Sequence, residues 1–191
     1  MNRVLDVLVA GTGLAVASPF LGLAALATKL EDRGPVFYRQ SRVGKDGEDF
    51  DVLKLRSMVV GAESLGAGYA VDEGDARITR VGRIIRRTSI DELPQLWNVV
   101  RGDMSIIGPR PTLRYQVEQY DEHQRRRLDV RPGLTGWAQV HGRASLPWAE
   151  RIELDVWYVD HRSPRIDLEI LLRTPLALFR GTYRGATGGW R

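Results

Sequence analysis

The chain sets one long apolar run against a polar remainder in which apolar residues come in short clusters. From Val7 to Thr28 there are 22 residues without a charge, and a bilayer crossing needs roughly 20. Ser18-Pro19 interrupts this run at its centre. Proline lacks an N–H and its ring collides with the carbonyl four residues back. A serine hydroxyl that bonds a carbonyl of the preceding turn favours a bend. The pattern predicts helix, break, helix, with entry and exit on the same face of a membrane. Proline also occurs in helices that span, so the run by itself leaves a crossing open. It is apolar on every side rather than along one stripe, which is not the pattern of a soluble core helix.

After Gly34-Pro35 the pattern changes to strands. Val36–Gln40 and Phe50–Leu55 predict a hairpin, with Asp46-Gly47 as its turn. Residues 61–76 are rich in Gly, Ala, Asp and Glu without a period, which predicts a long loop of the kind that serves as a lid. Leu93–Val100 predicts a short helix with Pro94 in its first turn. Ser105–Ile107 is a brief apolar strand, ended by Gly108-Pro109-Arg110-Pro111. Leu113–Leu128 predicts one polar helix, and Pro147–His161 another, with Ser145 as its N-cap and Ile152, Val156 and Val159 on one face. Ile166–Phe179 mixes apolar residues with Asp167, Glu169 and Arg173, the composition of a helix lying in a membrane interface. The fold class expected is α+β: a re-entrant membrane helix over 1–30, then a small mixed α/β domain over 31–191 with interfacial helices.

The flanks bear on topology. Arg3 precedes the apolar run, and Lys29, Arg33, Arg39 and Arg42 follow it. Positive charge at both ends is best satisfied with both ends on the cytoplasmic side. The run also lacks a small-x-small cleavage site, so it reads poorly as a signal peptide. Of the net charge of +4, residues 31–191 carry +3. The arginines cluster at Arg86-Arg87, Arg125-Arg126-Arg127 and Arg131, which suits anionic lipid, phosphates or nucleic acid. There is no cysteine, which excludes disulfides, thiolate nucleophiles and cysteine metal sites. His123, His141 and His161 have no ligand spacing.

Two segments carry candidate chemistry. Asp91 and Glu92 are adjacent, and adjacent carboxylates cannot share a helix face, so one can attack while the other holds a metal. The same pair could instead serve the positive end of the next helix. In Gly108-Pro109-Arg110-Pro111, two prolines fix φ on either side of Arg110. That preorganises the guanidinium for a phosphate, or for a surface salt bridge.

Taken together, six motifs in order resemble the signature of the bacterial sugar transferases, the monotopic phosphoglycosyl transferases. They are Lys54-Leu55-Arg56-Ser57-Met58, the run from Asp91 to Val99, Gly102-Asp103-Met104-Ser105, Gly108–Pro111, Val130–Gly136 and Glu153–Tyr158. The resemblance spans Arg3 to about Phe179, and the chain looks like one of the family's small members. It implies that a phosphosugar moves from a UDP-sugar to a polyprenol phosphate such as undecaprenyl phosphate, giving polyprenyl-diphospho-sugar and UMP. It implies Asp91 as nucleophile, forming a covalent phosphosugar intermediate, and Glu92, with Asp91, as the Mg²⁺ site. Lys54, Arg56, Arg86, Arg110 between Pro109 and Pro111, and Arg143 match the family's basic, substrate-binding positions. Asp155 and Asp167 match acidic positions of its site. Ser18-Pro19 matches its membrane re-entry break. The implied location is the bacterial inner membrane, with residues 31–191 forming a catalytic domain on the cytoplasmic face.

One departure is visible: family members commonly carry Asn where this chain has His141, before Gly142-Arg143. The rival reading is a membrane-anchored basic module that binds anionic lipid or nucleic acid without catalysis. It accounts for the pI near 9.7, but not for Asp91-Glu92 or the Arg110 turn. It also lacks aromatic stacking positions between its basic residues, and no nucleic-acid partner is expected. The sugar, the glycan pathway and a homo-oligomeric state are left open.

Overall fold

A computed structural model describes residues 2–65, 74–142 and 146–179. Half of the expected lid over 61–76, and the expected N-cap Ser145, lie outside them. The protein is a mixed α/β body with one long apolar helix at its N-terminus. In order, its principal elements are α1 (Arg3–Asp32), β1 (Phe37–Val43), β2 (Asp49–Leu55), α2 (Arg80–Arg87), α3 (Gln95–Arg101), β3 (Ser105–Ile107), α4 (Arg114–Val117), α5 (Glu122–Arg125), β4 (Gly133–Thr135), α6 (Trp137–Val140), α7 (Trp148–His161) and α8 (Pro164–Phe179).

α1 is long and apolar enough to cross a membrane. The two half-helices expected at Ser18-Pro19 are a single helical element. The reason is local. Pro19 cannot donate to the Ala15 carbonyl, and the Ser18 hydroxyl donates to that carbonyl instead, at 2.8 Å. The serine therefore satisfies the acceptor that its neighbour orphans.

One stripe of α1 faces the rest of the protein: Asp6, Ala10, Ala17 and Thr28 are buried, and Gly13 and Leu14 are half-buried. The opposite side exposes Leu8, Val16, Phe20, Leu23, Leu26 and Leu30. Polar bonds tie both ends of the helix to the same body. At the N-terminal end, Arg3 donates to the carbonyls of Val99 and Val100 at the end of α3, where a cation complements the helix dipole. Asp6 accepts from the Ser105 hydroxyl and the Ile106 N–H, each at 2.9 Å. At the other end, Glu31 accepts from the N–H groups of Arg80 and Val81, at 2.7 and 3.1 Å, at the start of α2. Asp32 forms a two-pronged pair with Arg56, at 2.5 Å on each arm.

β1 and β2 form the antiparallel hairpin, with Phe37 opposite Leu55 and Val43 opposite Asp49. Asp46 and Gly47 both adopt positive φ, 57° and 82°, as a tight hairpin turn requires. β3 pairs with β4 in parallel. One core cluster joins Ala10 of α1 to Leu96, Val99, Met104, Ile107, Tyr158 and Ile170. A second gathers Val43, Val117, Tyr120, Ile152 and Val156.

The helix expected over Leu113–Leu128 is instead α4, α5 and a 3₁₀ turn at Arg126–Leu128. Asp121 causes the break: its carboxylate accepts from the Gln124 N–H at 2.8 Å and starts a new helix. Tyr120 and Arg127 turn inward as a result. α8 is helical over the expected stretch. It buries Ile170 and exposes Leu168, Leu172 and Leu176, and it stays helical through Pro175.

The Asp6 clasp yields a test of how firmly α1 is docked. Bonds to a charged acceptor contribute about 1.5–3 kcal/mol, and Asp6→Ala leaves two buried donors without one. Thermal unfolding in detergent should show Asp6→Ala less stable by about 3 kcal/mol, with exposed Glu48→Ala unchanged. A variant that melts with the wild type would remove the clasp from the account.

Candidate active site

Three segments distant in sequence meet at Glu92. The first is the hairpin. Alternation along β1 turns Tyr38, Gln40 and Arg42 to one face, and the register sets Lys54 opposite Tyr38 on that face. The second is the end of α2. Ser89 has φ 57°, a left-handed conformation that non-glycine residues adopt at a cost. It turns the chain into the 3₁₀ turn Ile90–Glu92, which presents the two carboxylates. The third is the turn after β3. Gly108 N–H donates to the Thr135 carbonyl at 2.9 Å, and the Gly133 N–H donates to the Pro109 carbonyl at 2.8 Å. A Cβ on Gly108 would lie 2.4 Å from the Arg131 carbonyl oxygen, so only glycine permits this approach.

The Glu92 carboxylate lies between two cations. Lys54 Nζ is 3.2 Å from Oε1, and the Arg110 guanidinium reaches Oε1 at 2.5 Å and Oε2 at 3.4 Å. Asp91 is buried beside it. A cleft of about 410 Å³ opens over the pair, and Gln40, Arg42, Lys54, Ser57, Arg86 and Arg110 contribute to its lining. Arg86 donates to the Ser57 hydroxyl at 3.3 Å.

This environment drives the neighbouring carboxylates apart. Burial works against ionised Glu92, but Arg110 and Lys54 outweigh it and hold the group well below the usual carboxylate range. Burial pushes Asp91 up to about 6, the negative charge of Glu92 adds to this, and Lys54, Arg86 and Arg110 offset part of it. Lys54 is lowered by burial, against the pull of Glu92. Adjacent acids with opposed environments are the arrangement in which two carboxylates take different roles. Glu92 is a permanently ionised, cation-bound group. Asp91 is ionised at neutral pH yet more basic than an ordinary aspartate, which suits a nucleophile.

The remaining sequence candidates are distributed as follows. Arg56 reaches the cleft wall, but its guanidinium is engaged by Asp32 and by the carbonyls of Pro35 and Met58. Pro109 and Pro111 flank Arg110, and Arg42 donates to the Pro111 carbonyl at 3.5 Å. Asp155 is buried away from the cleft lining and paired with Arg127. Asp167 accepts from the Tyr158 hydroxyl at 2.8 Å. Arg143 lies outside the described residues. His141 donates through Nδ1 to the Trp137 carbonyl at 2.9 Å, so its Nε2 is the acceptor that Arg173 meets at 2.8 Å.

Sequence reasoning passed over Gln40, Arg42, Ser57, Ser89 and Arg127. Alternation along β1 with Tyr38 is the signal that could have found Gln40 and Arg42. Nothing local marks Ser89 as left-handed.

Among the described residues there is no cluster of three or more side chains of metal-ligand type. Mg²⁺ is ordinarily held by one or two carboxylates, with substrate phosphates and waters completing its shell. The Asp91-Glu92 pair fits that donor set.

Burial of Asp91 has a measurable consequence. Its folded value of about 6 exceeds the ordinary 3.8, so the folded state binds this proton more tightly than the unfolded one. The group's stabilising contribution is complete below about pH 4 and is lost as pH rises through about 6. At pH 7.5 the ionised group costs on the order of 3 kcal/mol. In EDTA, Asp91→Asn should melt several degrees above the wild type at pH 7.5, and the gap should close by pH 4. An equal or lower Tm at pH 7.5 would contradict the assigned environment.

The chain as a whole has recognisable relatives. The bacterial sugar transferase family model matches residues 1–181. An uncharacterized sugar transferase, EpsL of Bacillus subtilis (strain 168), is 43% identical over 91% of this chain and 85% of its own length. A UDP-glucose:undecaprenyl-phosphate glucose-1-phosphate transferase of Caulobacter vibrioides is 47% identical over 91% of this chain and 67% of its own. The UDP-N-acetylgalactosamine-undecaprenyl-phosphate N-acetylgalactosaminephosphotransferase of Aeromonas hydrophila is 43% identical over 95% of this chain, which spans only 44% of that protein. By the extent of the family match and the identity across nearly the whole chain, this protein belongs to the bacterial sugar transferase family.

Proposed function

We propose that the protein is a phosphoglycosyl transferase that moves a sugar 1-phosphate from a UDP-sugar to a polyprenol phosphate, releasing UMP. One observation carries the reading: two adjacent carboxylates in opposed electrostatic states at the base of a cationic cleft. The names of the Caulobacter and Aeromonas relatives supply the substrate classes.

The chemistry follows from the side chains. An Asp91 carboxylate oxygen attacks the phosphorus that bears the sugar. The phosphoanhydride bond to UMP breaks, and its electron pair leaves with UMP. The acyl phosphate so formed keeps the phosphosugar on the protein. A phosphate oxygen of the polyprenol phosphate then attacks the same phosphorus, forms the diphosphate and returns Asp91 as a carboxylate. Arg110, Lys54 and Arg86 offset the charge that keeps two anions apart. Asp91 and Glu92 would hold Mg²⁺, which supplies further neutralisation of the diphosphate when bound.

The membrane arrangement is part of the same proposal. The polyprenol phosphate head group lies at the membrane interface. Both ends of α1 bond to one body, which argues for both on that body's side of the membrane, whereas a crossing helix delivers its ends to opposite faces. We therefore read α1 as entering and leaving the cytoplasmic face, with its exposed apolar side in lipid and the leucine stripe of α8 in the interface. The setting is the inner membrane of a bacterium, at the first membrane step of glycoconjugate assembly.

Two experiments test this reading. With radiolabelled UDP-sugar, the wild type should retain label covalently and release UMP. Asp91→Asn should retain none, EDTA should stop both, and adduct formation should slow below pH 6 as Asp91 takes up its proton. An adduct on Asp91→Asn, or full activity in EDTA, overturns the assignment. For topology, cysteines at positions 2 and 45 should both react only with reagent on the cytoplasmic side of sealed vesicles. Periplasmic labelling of wild-type position 2 would make α1 an ordinary single-pass anchor.

A further inference from the structure

Arg127 is 4% exposed, bonds to the Arg110 turn and does not contribute to the lining of the cleft over Glu92. Its guanidinium makes three kinds of bond. It pairs with the Asp155 carboxylate of α7, donates to the Tyr120 hydroxyl at 2.5 Å, and donates to the backbone carbonyl of Arg110 at 3.0 Å. The Tyr120 hydroxyl passes one bond on, to the Thr112 hydroxyl at 3.4 Å. The turn is thus grasped at Arg110 directly and at Thr112 through Tyr120. The Arg127 guanidinium also lies 5.6 Å from the Tyr120 ring centre and 5.8 Å from that of Trp148, so stacking restricts it further.

From this geometry we infer that Arg127, oriented by Asp155, is a positioning residue: it sets the Pro109–Pro111 turn so that the Arg110 guanidinium meets Glu92. The inference rests on the function proposed above and assigns Asp155 a role. Asp155 orients the arginine that holds the turn and does not bind substrate. The Arg110 side chain reaches Glu92 while its carbonyl is held by Arg127, so a shift of the turn moves the cation that balances Glu92. Misplacement by about 1 Å costs a reaction about 10²-fold.

The test must separate positioning from folding, because removing one partner of a buried ion pair leaves an uncompensated charge, whereas replacing both by apolar residues is often tolerated. The informative variant is therefore the pair Arg127→Met with Asp155→Leu, with Arg127→Lys as a second variant should that pair fail to fold. Each is measured alone and combined with Arg110→Ala, whose partly exposed side chain can be truncated without opening the core. The readouts are Tm, KM for the UDP-sugar and kcat for UMP release.

The expected result is a wild-type Tm, little change in KM and a kcat about 10²-fold lower. In the Arg110→Ala background the same change should have less than a twofold effect, because a residue that acts through Arg110 is silent without it. An equal loss in both backgrounds, or unchanged kcat, overturns the proposal. A wild type that releases no UMP from any UDP-sugar would refute the functional reading instead. The positioning claim is then decided by the side-chain NMR signal of ¹⁵N-labelled Arg110. Faster exchange of its Nη–H groups, which bond to Glu92, supports positioning in the variants, and an unchanged signal overturns it.

Discussion

The arrangement of this protein depends on the placement of one carboxylate, Glu92, between Lys54 and Arg110. A buried carboxylate without partners would take up a proton. With two cations in contact it stays ionised, and its charge adds to burial in raising the pKa of Asp91 next to it. The partners come from the hairpin and from the turn after β3, so the ion cluster ties both to the 3₁₀ turn that bears the dyad. The glycines of the β3–β4 junction, the left-handed Ser89 and the buried Arg127 all serve to bring these three segments within bonding distance.

A second constraint concerns α1. An apolar helix joined to a charged domain by a flexible linker would leave the distance from active site to lipid unspecified. Here the helix shares a core with α3, β3, α7 and α8 through Ala10, and polar clasps hold it at each end. Arg56 and Asp32 connect the last turn of the helix to the strand that carries Lys54. The position of α1 and that of the cleft are therefore mechanically linked. Arg56 serves that link, and its donors are directed to Asp32 and to backbone carbonyls rather than into open space.

Stability and chemistry pull against one another at Asp91. A carboxylate that is basic and partly desolvated suits the proposed nucleophile, and the same desolvation destabilises the folded state at neutral pH. The cationic lining offsets only part of this. The Ser89 backbone conformation adds a further local cost next to the dyad. Both costs fall within a few residues of the proposed reacting oxygen, and the packed clusters around Ile107 and Ile152 supply the stability that tolerates them.

Much of this was legible in the chain itself, for reasons that are local. The uncharged run from Val7 to Thr28, the Asp46-Gly47 hairpin, the short helix after Pro94 and the preorganised Arg110 turn each follow from neighbouring residues, because periodicity, proline and glycine act over a few positions. The six ordered motifs carried the family and, through it, Asp91 and Glu92. Tertiary structure alone decided the rest. Arg127 stands in a run of three arginines that looks like a solvated helix face, and only the break at Asp121 and the packing against α7 turn it inward. Arg56 and Asp155 match site positions of the family, and only the fold shows that each is bound to a partner at least 24 residues away. The separation of the Asp91 and Glu92 pKa values depends on Lys54 and Arg110, which lie 38 and 18 residues from Glu92. Charge balance in a low-dielectric site is a sum over neighbours in space, and the linear order of residues does not contain that sum.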